Sequence, residues 1–204
     1  MKKQLIVGMM IVGLSLTALT GCFAPKPTET VEDFMTAIQE KDFEKAATFV
    51  DPKGSEDFDF KSMSEEAEAI DGFDPQVVFD GISNGYKFEN PEEVKNEGDT
   101  AQVKVIVTSI DFAAVMTSVM GDVMPMAFGM AFSEDEAAAE KAMDKMMMAS
   151  LKKHLNAEDA SMATRTVTLN LKKDKDGEYK ILSDDQLMDA VLANASEMEE
   201  IFGQ

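Results

Sequence analysis

Two stretches of strict alternation decide what this chain can fold into. Ala101, Val103, Val105 and Val107 alternate with Gln102, Lys104, Ile106 and Thr108, and Val167, Leu169 and Leu171 alternate with Thr166, Thr168 and Asn170. A period of two sends each set to one face of a strand, so both stretches are strands packed on a core through one face only. Turn residues surround them. Glu97-Gly98-Asp99 precedes the first, and Asp174 to Gly177 folds the second back onto Glu178–Leu182 as a hairpin. Tyr86 to Val94 reads as extended, with Pro91 marking an edge or a bulge.

The rest is mostly helical in pattern. Thr28 or Thr30 caps a first helix whose Val31, Phe34, Met35 and Ile38 form an apolar stripe. Asp42 opens a second helix carrying Phe43, Ala46, Ala47 and Val50, ended by Asp51-Pro52. Ser62 or Ser64 opens a third with Met63, Ala67 and Ile70 inward, closed by Gly72. At Val77–Phe79, a short apolar run, the pattern switches away from the helical period. A last helix is capped by Ser183, with Leu187, Val191, Ala195 and Met198 on one face. Between the two clear strands lies a helical insertion, residues 111–157. Its apolar first half is interrupted by Pro125 and Gly129, and Ser133 with Glu136 forms a capping box for the helix that follows. The predicted class is α+β: N-terminal helices on a curved antiparallel sheet, with a Met-rich helical insertion between strands.

Charge narrows the partners. The 204 residues carry a formal net charge of −20 and a single histidine. Nucleic acid requires a basic footprint, which this composition lacks, so no nucleic-acid partner is expected. The acidic balance reads as a solvated face.

The N-terminus supplies an address. Met1-Lys2-Lys3 is followed by an apolar core from Leu5 to Leu19, shorter than the ~20 residues that span a bilayer, and Thr20-Gly21 leads into Cys22, the only cysteine. This arrangement resembles the lipobox of bacterial lipoproteins, in which the cysteine is cleaved to the N-terminus and receives a diacylglyceryl group. The resemblance implies a signal peptide at 1–21, a tether at 22–28 containing Pro25 and Pro27, and one domain at 29–204. Two acyl chains anchor durably where one does not. A lipid-anchored protein on the extracytoplasmic side of the membrane, first of all on a Gram-positive surface, is the expected setting. Lipidation also consumes the only thiol, so neither a disulfide nor a thiolate metal site is expected.

Catalytic signals are thin. His154 sits beside Lys152 and Lys153 near a helix end, where cations favour the dipole, and reads as a cap or surface residue. No Gly-x-Ser-x-Gly is present, and one histidine cannot make a His-rich metal motif. Asp174-x-Asp176-Gly177 looks like the start of a calcium loop, but Lys172 and Ile181-Leu182-Ser183 fail to supply the remaining ligands, and a hairpin turn explains it. The expectation is no cofactor, no metal and no enzyme. An enzyme using a cavity carboxylate on a small organic substrate is the alternative from a different class.

Glu29-Thr30-Val31-Glu32-Asp33-Phe34 through Lys41-Asp42-Phe43-Glu44-Lys45-Ala46, Gly98-Asp99-Thr100-Ala101-Gln102-Val103-Lys104-Val105, Gly177-Glu178-Tyr179-Lys180-Ile181 and Ser183-Asp184-Asp185 together resemble small bacterial lipoproteins with a nuclear transport factor 2-like (cystatin-like) domain. The resemblance covers roughly 28–110 and 160–190. It implies a curved sheet wrapped on helices around a cone-shaped cavity, in a superfamily that holds both enzymes and binding modules. The insertion departs from that layout.

The insertion holds nine methionines: 116, 120, 124, 126, 130, 143, 146, 147 and 148. Methionine fills irregular cores and also makes adaptable binding surfaces. Core packing is the plain reading. A surface for an apolar ligand, lipid tail or envelope protein built from Met116, Met120, Met124, Met126, Met130, Met146 and Met147 is the functional one. Thioether binding of Cu(I) through Met120, Met124, Met126 and Met130 is a third. The expected function is a membrane-anchored, non-catalytic module that binds an apolar ligand or an envelope protein.

Overall fold

The computed structural model describes residues 25–53, 75–130 and 135–196. Cys22, the helix expected after Ser62 or Ser64, Ser133 and Met198 lie outside them.

The alternating stretches form the centre of a four-stranded antiparallel sheet in the order β1-β2-β3-β4. Its strands are β1 (Lys87–Asn96), β2 (Thr100–Ile110), β3 (Met162–Lys173) and β4 (Tyr179–Ile181). Val103 pairs with Leu169 and Val105 with Val167. These residues and Ala101, Val107 and Leu171 are buried, while Ile106 on the opposite face is exposed. Pro91 lies in the edge strand at a register break between Glu89 and Glu92, where Asn90 takes φ 53°. The expected edge and the expected bulge thus coincide. Gly98 and Gly177, at φ 89° and 82°, supply the left-handed turns of the two hairpins.

Helices cover one face of the sheet: α1 (Pro27–Gln39), α2 (Phe43–Thr48), α3 (Pro75–Ser83) and α6 (Asp185–Val191). The α1 stripe of Val31, Phe34, Met35 and Ile38 joins the sheet's inward residues and Leu187 and Val191 of α6 in one buried cluster. Helix α1 begins one position before the Thr28 expected as its earliest cap. Pro27 occupies its first position, where the missing N–H costs nothing, and Glu29 accepts from the Lys26 N–H at 3.1 Å. Asp42 caps α2 by accepting from the Lys45 N–H at 2.9 Å.

Four expectations need correction. Val77–Phe79, where the pattern switches away from the helical period, belongs to helix α3. Phe79 and Ile82, three apart, are both buried, Phe79 stacks on Phe43 at 4.3 Å, and Ser83 donates to the Ile38 carbonyl at 2.7 Å. Tertiary packing on α1 and α2 overrides the β-propensity of the valine pair. Helix α6 is capped by Asp184, which accepts from the Gln186 and Leu187 N–H groups, rather than by Ser183, and it stops at Val191. Ala193 then leaves the helix to donate to Ile110 O and accept from Phe112 N, each at 2.8 Å.

The other two corrections concern the insertion, which forms α4 (Phe112–Met130) and α5 (Glu136–Leu155). Helix α4 runs unbroken through Pro125. Pro125 and Gly121, whose carbonyl the ring frees, are both exposed, so water can serve that carbonyl. Helix α5 is capped by Asp135, accepting from the Ala138 N–H at 3.0 Å, and begins later than the Ser133 capping box predicts. Helices α4 and α5 pack chiefly on each other, and α5 also packs on α3. At that contact Gly81 lets α3 approach Leu155 so closely that a Cβ there would lie 2.8 Å from Leu155 Cβ.

Candidate functional site: the apolar face of the insertion

Helix α4 has two unlike sides. Val115, Val119 and Val123 recur every four residues and are buried. Met116, Met120, Met124 and Phe128 recur with the same spacing on another line. At ~100° per residue, this second line lies about 100° around the helix from the first. That second line ends in open surface, with Met120 40%, Met124 50% and Phe128 69% exposed. Helix α4 therefore spends one side on packing and leaves Met120, Met124 and Phe128 bare on the other, beside exposed Thr117 and Ser118.

The candidate methionines divide between the two sides. Met120 and Met124 are outward, Met116 is half-buried on the flank, and Met126 is half-buried about 20° from the valine line. Met130 closes the helix. On α5, Met146 packs against the core cluster while Met147 is 38% exposed. Met126 lies well around the helix from Met120 and Met124, so the four positions weighed for Cu(I) share no single helical face. Phe128, the most exposed large apolar residue described, was hidden in the sequence by the continuous apolar run around it.

The valine side carries one charge, Asp122, which the sequence presents only as an oddity in an apolar stretch. Three donors from α5 converge on its Oδ2: Ser150 Oγ at 2.9 Å, Lys153 Nζ at 3.0 Å and His154 Nε2 at 3.0 Å. Facing a carboxylate, Nε2 is the nitrogen that carries the hydrogen. These bonds, Lys153's first and then those of Ser150 and His154, hold the Asp122 carboxyl well below the usual carboxylate range. His154, expected as a cap or surface residue, is instead half-buried and part of this clamp. Serine, histidine and aspartate are the residue types of a hydrolytic triad, but here hydroxyl and imidazole both donate to the same oxygen. No Ser150–His154 hydrogen bond occurs among the described residues, so nothing withdraws the serine proton. The arrangement ties two helices together.

Elsewhere the interior holds a buried phenol. Tyr86 Oη lies 2.7 Å from Met35 Sδ and 3.1 Å from the Ala190 carbonyl oxygen, which share its one proton, and burial drives its pKa upward against the opposing charge of Arg165. Asp174 accepts from the Asp176 and Glu178 N–H groups at 2.9 and 3.0 Å, as a turn residue does. No group of three or more His, Cys, Asp or Glu side chains that could hold a metal ion occurs among the described residues.

No family model matches the chain, and no curated protein matches it. Among solved structures it is similar to a "putative lipoprotein (ycdA)" from Bacillus subtilis subsp. subtilis str. 168, at 16% identity and a TM-score of 0.39. That match covers 82% of this chain and 46% of the other, less than half its length, and is too loose to define a shared fold. The class the structure itself defines is an α+β protein, with helices packed on one face of an open antiparallel sheet and a helical hairpin inserted between its two central strands.

Proposed function

We propose that this protein is a non-catalytic, lipid-anchored module on the extracytoplasmic face of a cell membrane, and that the apolar ligand it engages is the acyl region of that membrane. A diacylglyceryl group on Cys22 supplies the anchor, and the Met120, Met124 and Phe128 face of α4 supplies the second contact. The observation that carries this reading is the bare side of α4. Phe112–Gly129 has a mean hydropathy of 1.3, enough by length and composition to cross a membrane, yet only 17% of it is buried. Its single carboxylate is on the valine side and already neutralised by α5. Asp122 near its middle disfavours full insertion, by about 2.5–3.5 kcal/mol, so α4 lies in the headgroup–acyl boundary rather than across the bilayer. A chain of formal net charge −20 is held off an anionic surface, and a lipid anchor with an apolar helix overcomes that repulsion.

The chain contains no tryptophan, so one introduced reporter gives an unambiguous signal. Phe128→Trp in the full chain, reconstituted in vesicles containing brominated lipid, is expected to emit to the blue and be quenched by the bromines. Ile106→Trp, on the exposed sheet face, is expected to stay unquenched. Water-like, unquenched emission from position 128 overturns the reading. Blue-shifted but unquenched emission also overturns it, in favour of a protein partner.

A further inference from the structure

At the opposite end of the sheet from the hairpin the surface changes sign. Helix α4 leaves β2 at Ile110, whereas Thr100, at the other end of β2, pairs with Lys172. The ten intervening steps place the two ends about 30 Å apart. Beside Lys172 lies an open groove of 660 Å³ between the α2 end and the β3–β4 turn. Five lysines line it, Lys53, Lys172, Lys173, Lys175 and Lys180, against three acids, Glu44, Asp51 and Asp174. In a chain of net charge −20, a groove with a positive excess is contrary to the composition.

The acids there are already engaged in part. Asp174 Oδ1 is taken by two backbone N–H groups of its own turn, and Asp51 Oδ1 accepts from the Lys53 N–H at 2.9 Å. Lys180 is also committed, to Thr48 O and Glu178 Oε2 at 3.1 Å each and to Asp174 Oδ2 at 3.9 Å. Lys173 lies 5.0 Å over the Tyr179 ring. Lys53, Lys172 and Lys175 have no ion pair among the described residues. Moreover, Lys172 stands directly opposite Lys180 in the β3–β4 register. Like charges facing each other across a strand pair are destabilising, and edge protection does not require them to face. Ala47, Val50 and Pro52 add an apolar portion to the lining.

We infer that this groove is a binding site for a phosphate-bearing anion, held by Lys172 and Lys175 with Lys53 at the opposite wall. A phosphate seated there meets three ammonium groups that have no ion pair among the described residues. The volume suits a ligand of headgroup or nucleotide size. The site is independent of the α4 face.

Isothermal titration of the full chain in neutral detergent at low salt tests it, with pyrophosphate as the free-anion probe and dihexanoyl phosphatidylglycerol as the headgroup probe. Dihexanoyl phosphatidylcholine is the zwitterionic control. Lys172 and Lys175 are exposed, so K172Q/K175Q is expected to fold as the parent does, checked by circular dichroism. Binding of either anionic probe that weakens about tenfold in K172Q/K175Q and falls with added salt supports the site. Pyrophosphate binding assigns it to a free anion, and binding of phosphatidylglycerol alone assigns it to a lipid headgroup. Failure of both probes to bind at millimolar concentration overturns it, as does equal binding by K172Q/K175Q or by the phosphatidylcholine control.

Discussion

Gly81→Ala and Gly121→Ala are the same chemical change in two helices and should move stability in opposite directions. Each replaces a helical glycine, which by itself favours the folded state by about 0.5–1 kcal/mol. At Gly121 nothing lies within 4 Å of the new Cβ, so that gain should appear in full. At Gly81 the new Cβ meets Leu155 Cβ at 2.8 Å and the Leu155 carbonyl oxygen at 3.3 Å. Neither atom is the free end of a flexible side chain, so α3 and α5 must separate. Overpacking of this kind costs about 1–3 kcal/mol, and the rigidity of the facing atoms puts it toward the upper end. A net loss of about 1–2 kcal/mol follows for Gly81→Ala. With a urea m-value of about 2–3 kcal/mol/M, the midpoint should fall by roughly 0.5 M at unchanged slope. Urea titrations followed by circular dichroism read both variants. If Gly81→Ala is as stable as the parent while Gly121→Ala is more stable, the close docking of the hairpin on α3 is refuted.

Two further perturbations test particular contacts. Asp122 has a folded-state pKa below its unfolded value, so its stabilisation is complete above the ordinary carboxylate range and is lost as pH falls through the depressed value. The stability difference between the parent and Asp122→Asn should therefore persist from about pH 7 to 5 and shrink only below about pH 4, as read by urea midpoints across pH. A difference that disappears by pH 6 contradicts the clamp. Asp184→Ala removes the α6 cap and the 2.8 Å bond from Asn170 Nδ2, and should cost about 1–2 kcal/mol in the same assay.

The sheet was legible because alternation is a local signal: Val103, Val105, Leu169 and Leu171 announce their face without knowledge of their partners. The hairpin turns were equally local, fixed by Gly98 and Gly177. What escaped was set by tertiary neighbours. Val77–Phe79 is too short a run for periodicity to decide, and only its packing on Phe43 and the Ile38 carbonyl makes it helical. Pro125 reads as a break because the exposure of Gly121 is invisible in sequence. The Asp122–His154 pairing spans 32 residues and depends on how two helices register across a connection. The one available clue was chemical: a lone acid in an uncharged helix needs a cation, and α5 ends in Lys152, Lys153 and His154. Likewise the sequence marked α4 as apolar but could not say which side is bare.

If the protein works while held at a membrane through Cys22, intact mass measurement on protein extracted from its own membranes should find a chain lacking residues 1–21 whose N-terminal Cys22 carries the added mass of a diacylglyceryl group. A chain that retains Met1–Gly21, or one that begins at an unmodified Cys22, would contradict it.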